Sequence, residues 1–358
     1  MNNIKLKKIY ISGLNMSGKG QLLQLLDGHP NIFIFPFHKF GISYDIESFI
    51  LYFRKKVFLK KDFENSFHLY DKKANFNEYI SIQNLISYIL NLNSAGPDLI
   101  MADISKLCTA YAGDSYTEQV KINFSLDIFI DNLRSFQIKN IQKKISFENL
   151  EDYIFISFIK SVEEYKKFDF NNDYFALFAG NGPNHVKFLN NYFINYLNIC
   201  VKRDLLNRLY SNSKRHLSDR KLELNKINLF HSMIRALKSY IKQDQDLDFM
   251  LEKLKNLNSK NLIINFDDIL NDKESLMKNI SSFLKISFNK NLLEPTFMRE
   301  KLFLHEDNII IENDKIDNHF SDYEIQKIKK LSASQFFLNI YVFAVRILNK
   351  IFNIKLMP

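Results

Sequence analysis

The stretch IYISGLNMSGKGQLLQLLDGHPNIFIFP, Ile9–Pro36, decides the fold. It opens on a β-branched and aromatic run and turns through Gly13, Gly18 and Gly20. A leucine-rich helical pattern follows over Gln21–Leu26, then a second turn at Asp27-Gly28-His29-Pro30. A strand feeding a helix through glycines lets backbone N–H groups converge on an anion, and the helix dipole adds positive charge at the same place. Gly13-x4-Gly18-Lys19 matches the spacing of a phosphate-binding loop, but Gly20 stands where a nucleotide hydrolase needs Ser or Thr to hold magnesium. Phosphoryl transfer relies on a metal to neutralise several phosphate charges, so the missing hydroxyl argues against ATP or GTP transfer. No metal is expected, and a P-loop kinase or NTPase is the alternative reading.

Outward from this stretch, short β-branched runs recur at Leu197–Val201 and Leu262–Phe266, each followed by a turn or charge and then a helical pattern. That alternation is the βαβ signature of a mostly parallel sheet covered by helices. Lys273–Leu284 reads as a helix, Asp267-Asp268 as an acidic helix start, and Ser321 with Glu324 as a capping box. Residues from about 113 to 170 have almost no breakers and carry helical spacing, and read as a helical insertion. The expected architecture is a three-layer α/β domain over residues 1–320 with that insertion, followed by a helical extension over 321–358. No internal repeat or low-complexity linker is present.

Composition sharpens the reading through scarcity. The 358 residues hold nine glycines, six prolines, no tryptophan, and nine arginines against forty lysines. In such a chain a retained glycine or arginine is informative. Five glycines fall in the first 41 residues, and four arginines, Arg203, Arg208, Arg215 and Arg220, cluster after the Leu197–Val201 run. The net charge of +9 favours an anionic ligand, but the lysines are scattered, which argues against nucleic acid. Cys108 and Cys200 are too few and too far apart for a disulfide framework or zinc site, and suit a reducing compartment. The apolar run after Lys5, Lys7 and Lys8 is broken at Ser12-Gly13, short of a signal peptide, so a cytoplasmic location is expected.

The run Ser12–Pro36 resembles the opening of the PAPS-dependent sulfotransferases, a bacterial-type domain on a P-loop-like fold. There a strand precedes a cation-Ser-Gly-Thr-Thr loop, a Leu-Leu helix and an Asp-Gly-His-Pro turn. Ser17, Gly18, Leu22, Leu23, Asp27, Gly28, His29 and Pro30 fall in register. GNGPNHVKFL at Gly180–Leu189 is similar to the family's Lys-Thr-Pro-Asn-His stretch, with Asn181 in place of the lysine, and Asn261–Thr296 is similar to its strand–acidic–helix–Phe-Leu block. The resemblance implies PAPS as co-substrate and sulfuryl transfer to a hydroxyl acceptor, a saccharide or small metabolite. It places the phosphosulfate on Asn15, Met16, Ser17, Gly18, Lys19, Gly20 and Gln21, and the 3′-phosphate on Arg203 and Ser211, which have the family's eight-residue separation.

The pattern is broken where Met16 replaces the family's cation and Lys19-Gly20 its two threonines. The leaving phosphate gains charge as the S–O bond breaks, so a fixed cation is needed; Lys19 supplies it from a shifted position, or the loop has become a non-catalytic PAP- or glycan-binding site. His38 is the candidate general base, beside the plainer reading of a structural histidine. Arg208, Arg215 and Arg220 read either as ligand contacts or as a solvated helix face, and Arg299, Lys301 and His305 as candidates for a closing C-terminal segment. Phe336–Leu356 carries an apolar stripe with Arg346, Lys350 and Lys355, read as a core-docking helix or as a peripheral membrane contact.

Overall fold

A computed structural model describes residues 5–35, 66–71, 76–91, 125–181, 183–219, 226–254, 260–297, 299–301, 316, 320–333 and 340. Strand β1 (Lys7–Gly13) is followed by helix α1 (Lys19–Asp27) and strand β2 (Ile32–Ile34). A small sheet pairs β3 (Ser66–Asp71) antiparallel with β4 (Phe76–Ser81), which leads into α2 (Ile82–Asn91). Helix α3 (Leu126–Asn140), strand β5 (Lys144–Ile145) and helix α4 (Phe147–Ser161) come next, with β5 joining β3 in parallel. The chain continues through β6 (Tyr174–Asn181), α5 (Pro183–Tyr192), β7 (Tyr196–Lys202), α6 (Leu205–Asp219) and α7 (Lys226–Leu254). It then forms β8 (Asn261–Asn265), α8 (Phe266–Asn271), α9 (Lys273–Leu284), the hairpin of β9 (Thr296–Phe297) and β10 (Glu300–Lys301), and α10 (Asp322–Ala333).

The main sheet has the order β2-β6-β1-β7-β8, and every pairing in it is parallel. The expected α/β class, a mostly parallel sheet flanked by helices, is therefore the observed one. Strand β1 lies at its centre and is buried from Lys8 to Gly13, which explains why it reads as an unbroken apolar run rather than an alternating one. The chain leaves β1 toward β2 on one side, and leaves β7 toward β8 on the other. The carboxyl ends of β1 and β7 thus flank the point where strand order reverses, where open α/β sheets bind ligands.

From residue 125 on, the stretch read as a helical insertion forms α3, β5 and α4, and α4 packs on the parallel sheet. Ser125 and Ser146 cap these helices through Ile128 N and Asn149 N. Phe155 and Phe158 on α4 stand edge-on to Phe35, with ring centroids 5.0 and 4.9 Å apart. On the sheet face that meets α4, buried Lys8 lies 2.8 Å from Glu151 and 2.6 Å from Asp152, and Tyr10 donates to Glu151 at 2.5 Å. Burial would strip Lys8 of its proton, but the two carboxylates hold its pKa above the ordinary lysine value. Burial raises both carboxyl groups against the pull of Lys8.

The Asp-Gly-His-Pro turn is a structural joint. Asp27 is fully buried and accepts from Thr296 Oγ1 at 2.9 Å and from the Arg299 amide at 2.7 Å. Arg299 donates to the Pro30 carbonyl at 2.7 Å and lies 3.8 Å from the Phe33 ring centre, while His29 Nε2 meets the Ser287 carbonyl at 2.9 Å. These contacts tie the hairpin after α9 to the far end of α1, so Arg299 stands away from the glycine loop. Glu324 accepts from the Ser321 amide at 2.8 Å, completing that arm of the expected capping box at the start of α10. Beyond α10, residues 334–358 apart from Ile340 lie outside the described residues, and with them most of the apolar C-terminal stripe.

Candidate functional site

The loop between β1 and α1 is shaped by two close approaches. Gly13 has φ +144°, and a Cβ there would stand 2.4 Å from the Val201 carbonyl oxygen and 2.7 Å from Ser17 Oγ. Gly18 has φ +91°, and a Cβ there would stand 2.0 Å from the Phe266 ring. No residue but glycine fits either position. Gly18 also occupies the cap position of α1 without placing a side chain over the first turn, which leaves the approach to the helix N-terminus clear for an anion. By contrast, a Cβ on Gly20 meets nothing within 4 Å, so no steric demand accounts for its lack of a hydroxyl.

Met16 completes the turn with φ +59°, a left-handed conformation that costs an unbranched residue roughly 1–2 kcal/mol. Its carbonyl accepts from Arg203 Nη1 at 3.2 Å. Arg203 follows β7, and its guanidinium lies 4.4 Å from the Phe266 ring centre. Hence the loops after β1 and β7 are joined at the reversal point by a cation, and Phe266 lies under both Gly18 and Arg203. Asn15 is exposed, Met16 and Gln21 are half-buried, and Ser17 is 1% exposed with no hydrogen-bond partner for its Oγ. That buried hydroxyl suits a ligand oxygen as its missing partner.

Lys19 points inward rather than outward. It is 4% exposed, donates to the Gly13 carbonyl at 2.9 Å, and lies 4.7 Å from the Phe178 ring centre. Burial lowers its pKa to about 7, with Cys200 the opposing influence. Cys200 is itself buried, and burial raises its thiol to about 11 against a hydrogen bond with Ser12. At neutral pH the lysine is therefore poised between amine and ammonium.

The remaining expected site residues separate. Ser211 is half-buried in the second turn of α6, on the element that starts beside Arg203. Arg208 is 1% exposed, which corrects its reading as a solvated face: its guanidinium meets Asp244 at 2.6 Å and lies 5.0 Å from the Tyr240 ring centre, clamping α6 to α7. Arg215 is exposed, and Arg220 lies outside the described residues. His38 and His305 also lie outside them, as does Gly182 beside Asn181. Phe266 and Phe178 were missed by sequence reading, because neither belongs to the local glycine pattern. The run Leu262–Phe266 includes Phe266 as strand, but the structure ends β8 at Asn265 and makes Phe266 the first residue of α8. Among the described residues, no group of three His, Cys, Asp or Glu side chains is arranged to hold a metal ion, and no helix is long and apolar enough to cross a membrane.

No family model and no curated protein sequence matches the chain. Among solved structures, similarity is found to a sulfotransferase domain of the Synechococcus PCC 7002 olefin synthase, at 10% identity over 82% of this chain and 80% of that one, with TM-score 0.34. The sulfotransferase domain from the curacin biosynthetic pathway gives 13% identity over 81% and 77%, with TM-score 0.35. A sulfotransferase from Mycobacterium tuberculosis H37Rv gives 11% identity over 80% and 70%, with TM-score 0.35.

Proposed function

We propose that the chain is a sulfotransferase that moves the sulfuryl group of PAPS to a hydroxyl acceptor, a saccharide or small metabolite, in a reducing, cytoplasmic setting. The observation that carries the reading is the joint at the strand-order reversal, where Arg203 spans to the Met16 carbonyl across a glycine loop that excludes side chains. In this scheme the loop from Asn15 to Gln21 holds the phosphosulfate, with Lys19 as its cation, and Arg203 with Ser211 holds the 3′-phosphate. The acceptor oxygen attacks sulfur in line as the bond from sulfur to the phosphate oxygen breaks. The hydroxyl proton passes to a base, for which His38 is the candidate, and the negative charge left on the phosphate is met by Lys19 and the loop amides. No metal is required, consistent with Gly20 after the lysine.

The test is a titration of the purified protein with PAP, and separately with ATP and magnesium. PAP binding that is weakened at least tenfold by Arg203→Ala and is indifferent to magnesium supports the proposal. Tight, magnesium-dependent ATP binding without PAP binding would overturn it in favour of a kinase or NTPase. A PAP-binding protein without turnover is the second reading, favoured by the inward turn of Lys19; it predicts PAP binding but no label transfer from radiolabelled PAPS to any component of a cell extract.

A further inference from the structure

The opposite end of the parallel sheet carries a second basic concavity, which the proposed transfer does not use. A cavity of about 480 Å³ opens at the amino ends of the strands, where β1, β6, β7 and β8 begin. Since β1 runs from Lys7 to Gly13, at roughly 3.3 Å per residue the cavity lies about 20 Å from the glycine loop. Lys5, Lys7, Lys260 and Lys285 line it, and among the described residues no Asp or Glu does. Lys8 also reaches it, but its charge is consumed by Glu151 and Asp152.

Between the lysines the wall is apolar and aromatic. Tyr174, Tyr196, Leu197 and Phe283 contribute, with Ile194, a large apolar residue left 65% exposed at the mouth. Two of the lysines are held rather than loose. Lys260 donates to the Ile194 carbonyl at 2.9 Å and lies 5.3 Å from the Tyr196 ring centre, and Lys7 lies 5.7 Å from the Tyr174 ring centre. Tyr174 is fixed in turn by its hydroxyl, which donates to the Leu284 carbonyl at 2.8 Å. Lys285 follows α9 with φ +57° as its left-handed cap, so its position is set by the helix end. Besides Glu151 and Asp152 on Lys8, acidic groups nearby include the exposed Asp169, which feels Lys7, and Glu148, whose carboxylate accepts from the amides of Ile194 and Asn195 at 3.1 and 3.0 Å.

We infer that this cavity is a binding site for a small organic anion, an aromatic ring system bearing a phosphate or sulfate group. The volume lies within the range of small-molecule sites, and such sites combine an apolar wall with few convergent charges. Ammonium groups recognise phosphate and sulfate as point charges, and the half-buried rings of Tyr174 and Phe283 can meet an aromatic ligand. An apolar ligand alone would leave four lysines unused, and a bare inorganic anion would leave the aromatic wall uncovered.

The experiment is a calorimetric titration of the full chain with 1-naphthyl phosphate, run beside inorganic phosphate and 1-naphthol. Three proteins are compared: wild type, K5E/K285E and Arg203→Ala. Lys5 and Lys285 are exposed, and circular dichroism of the double variant verifies its fold. The expected result is 1-naphthyl phosphate binding that falls at least tenfold in K5E/K285E, is unchanged in Arg203→Ala, and exceeds that of either half-ligand by at least tenfold. Absence of binding to the wild type overturns the inference, as does a loss in Arg203→Ala instead of K5E/K285E. Equal affinity for phosphate alone removes the aromatic component, and equal affinity for 1-naphthol removes the anionic one; each refutes the ligand class. Because the readout at this end does not involve PAP, failure here leaves the transferase proposal standing, and the converse holds.

Discussion

Lys19 offers the sharpest quantitative test of the site. Burial lowers its pKa from 10.5 to about 7, which corresponds to about 5 kcal/mol against the charged form. The folded-state pKa lies below the unfolded one, so between pH 7 and 10.5 the unfolded chain holds a proton that the folded chain has lost. Stability should therefore rise with pH across that window by up to about 1.4 kcal/mol per pH unit, and this contribution is flat below it and above it. Other groups also titrate there, Cys200 and the tyrosines among them, so the informative quantity is the difference between wild type and Lys19→Met. In urea unfolding at pH 7, 8, 9 and 10, the methionine variant should be the more stable by several kcal/mol at pH 7, and the gap should close steadily toward pH 10. A gap constant with pH would refute the buried, titrating lysine. The same displacement predicts proton uptake when an anion reaches the loop, because a nearby negative charge restores the ammonium. Titration of PAP at pH 8 in buffers of different ionisation enthalpy should show uptake approaching one proton, abolished in Lys19→Met.

Three further outcomes follow from the packing. Gly18→Ala, which forces a Cβ into the Phe266 ring at positive φ, should lower the melting temperature by several degrees and abolish PAP binding, whereas Gly20→Ala, in open space on α1, should raise stability by about 0.5–1 kcal/mol; thermal melts of both distinguish them. Lys8→Met leaves Glu151 and Asp152 buried beside each other without their cation and should cost about 3–5 kcal/mol in urea unfolding at neutral pH, less as the carboxyl groups protonate at lower pH. Asp27, whose pKa burial raises to about 6, should contribute stability that is present at pH 4 and declines as pH rises through 6, by about 3 kcal/mol; comparison of wild type with Asp27→Asn across pH 4 to 7 isolates it, since the asparagine carbonyl retains an acceptor for Thr296 and Arg299.

What was legible in the sequence was local in origin. Strands β1 and β7 announce themselves by buried apolar runs and β8 by a β-branched run of which only Ile264 is buried, and α9 has the bounds its periodicity gives, Lys273–Leu284. Strand β6 escaped, although it lies beside β1 in the sheet. Its Tyr-Phe-Ala-Leu-Phe-Ala run carries no strand signal of its own, because short apolar runs do not distinguish strand from helix. The glycine loop is legible because backbone geometry demands glycine at Gly13 and Gly18. The state of Lys19 was not, because its surroundings, Phe178 and Cys200, arrive from strands β6 and β7, far along the chain. Arg208 misled for a related reason: helical spacing places it, but only α7 with Asp244 and Tyr240 makes it a buried clamp.

The departure at Met16 then takes on a physical meaning. The resemblance expects a cation directly ahead of Ser17-Gly18, and the chain has instead a left-handed methionine whose carbonyl faces Arg203. A carbonyl in that place is a poor neighbour for phosphate oxygens unless a cation covers it. Arg203 does so from the adjacent strand, while Lys19 approaches from beneath the loop through the Gly13 carbonyl. Two cations on different elements thus hold the loop at separate carbonyls, Met16 and Gly13, one always charged and the other, its pKa lowered to about 7, part-charged at neutral pH. If that division holds, Arg203→Lys should weaken PAP binding while leaving its pH dependence near 7 intact. Lys19→Met should do the reverse, removing the pH dependence while retaining affinity at high pH. Loss of both properties in either variant would mean that the two cations do not act separately.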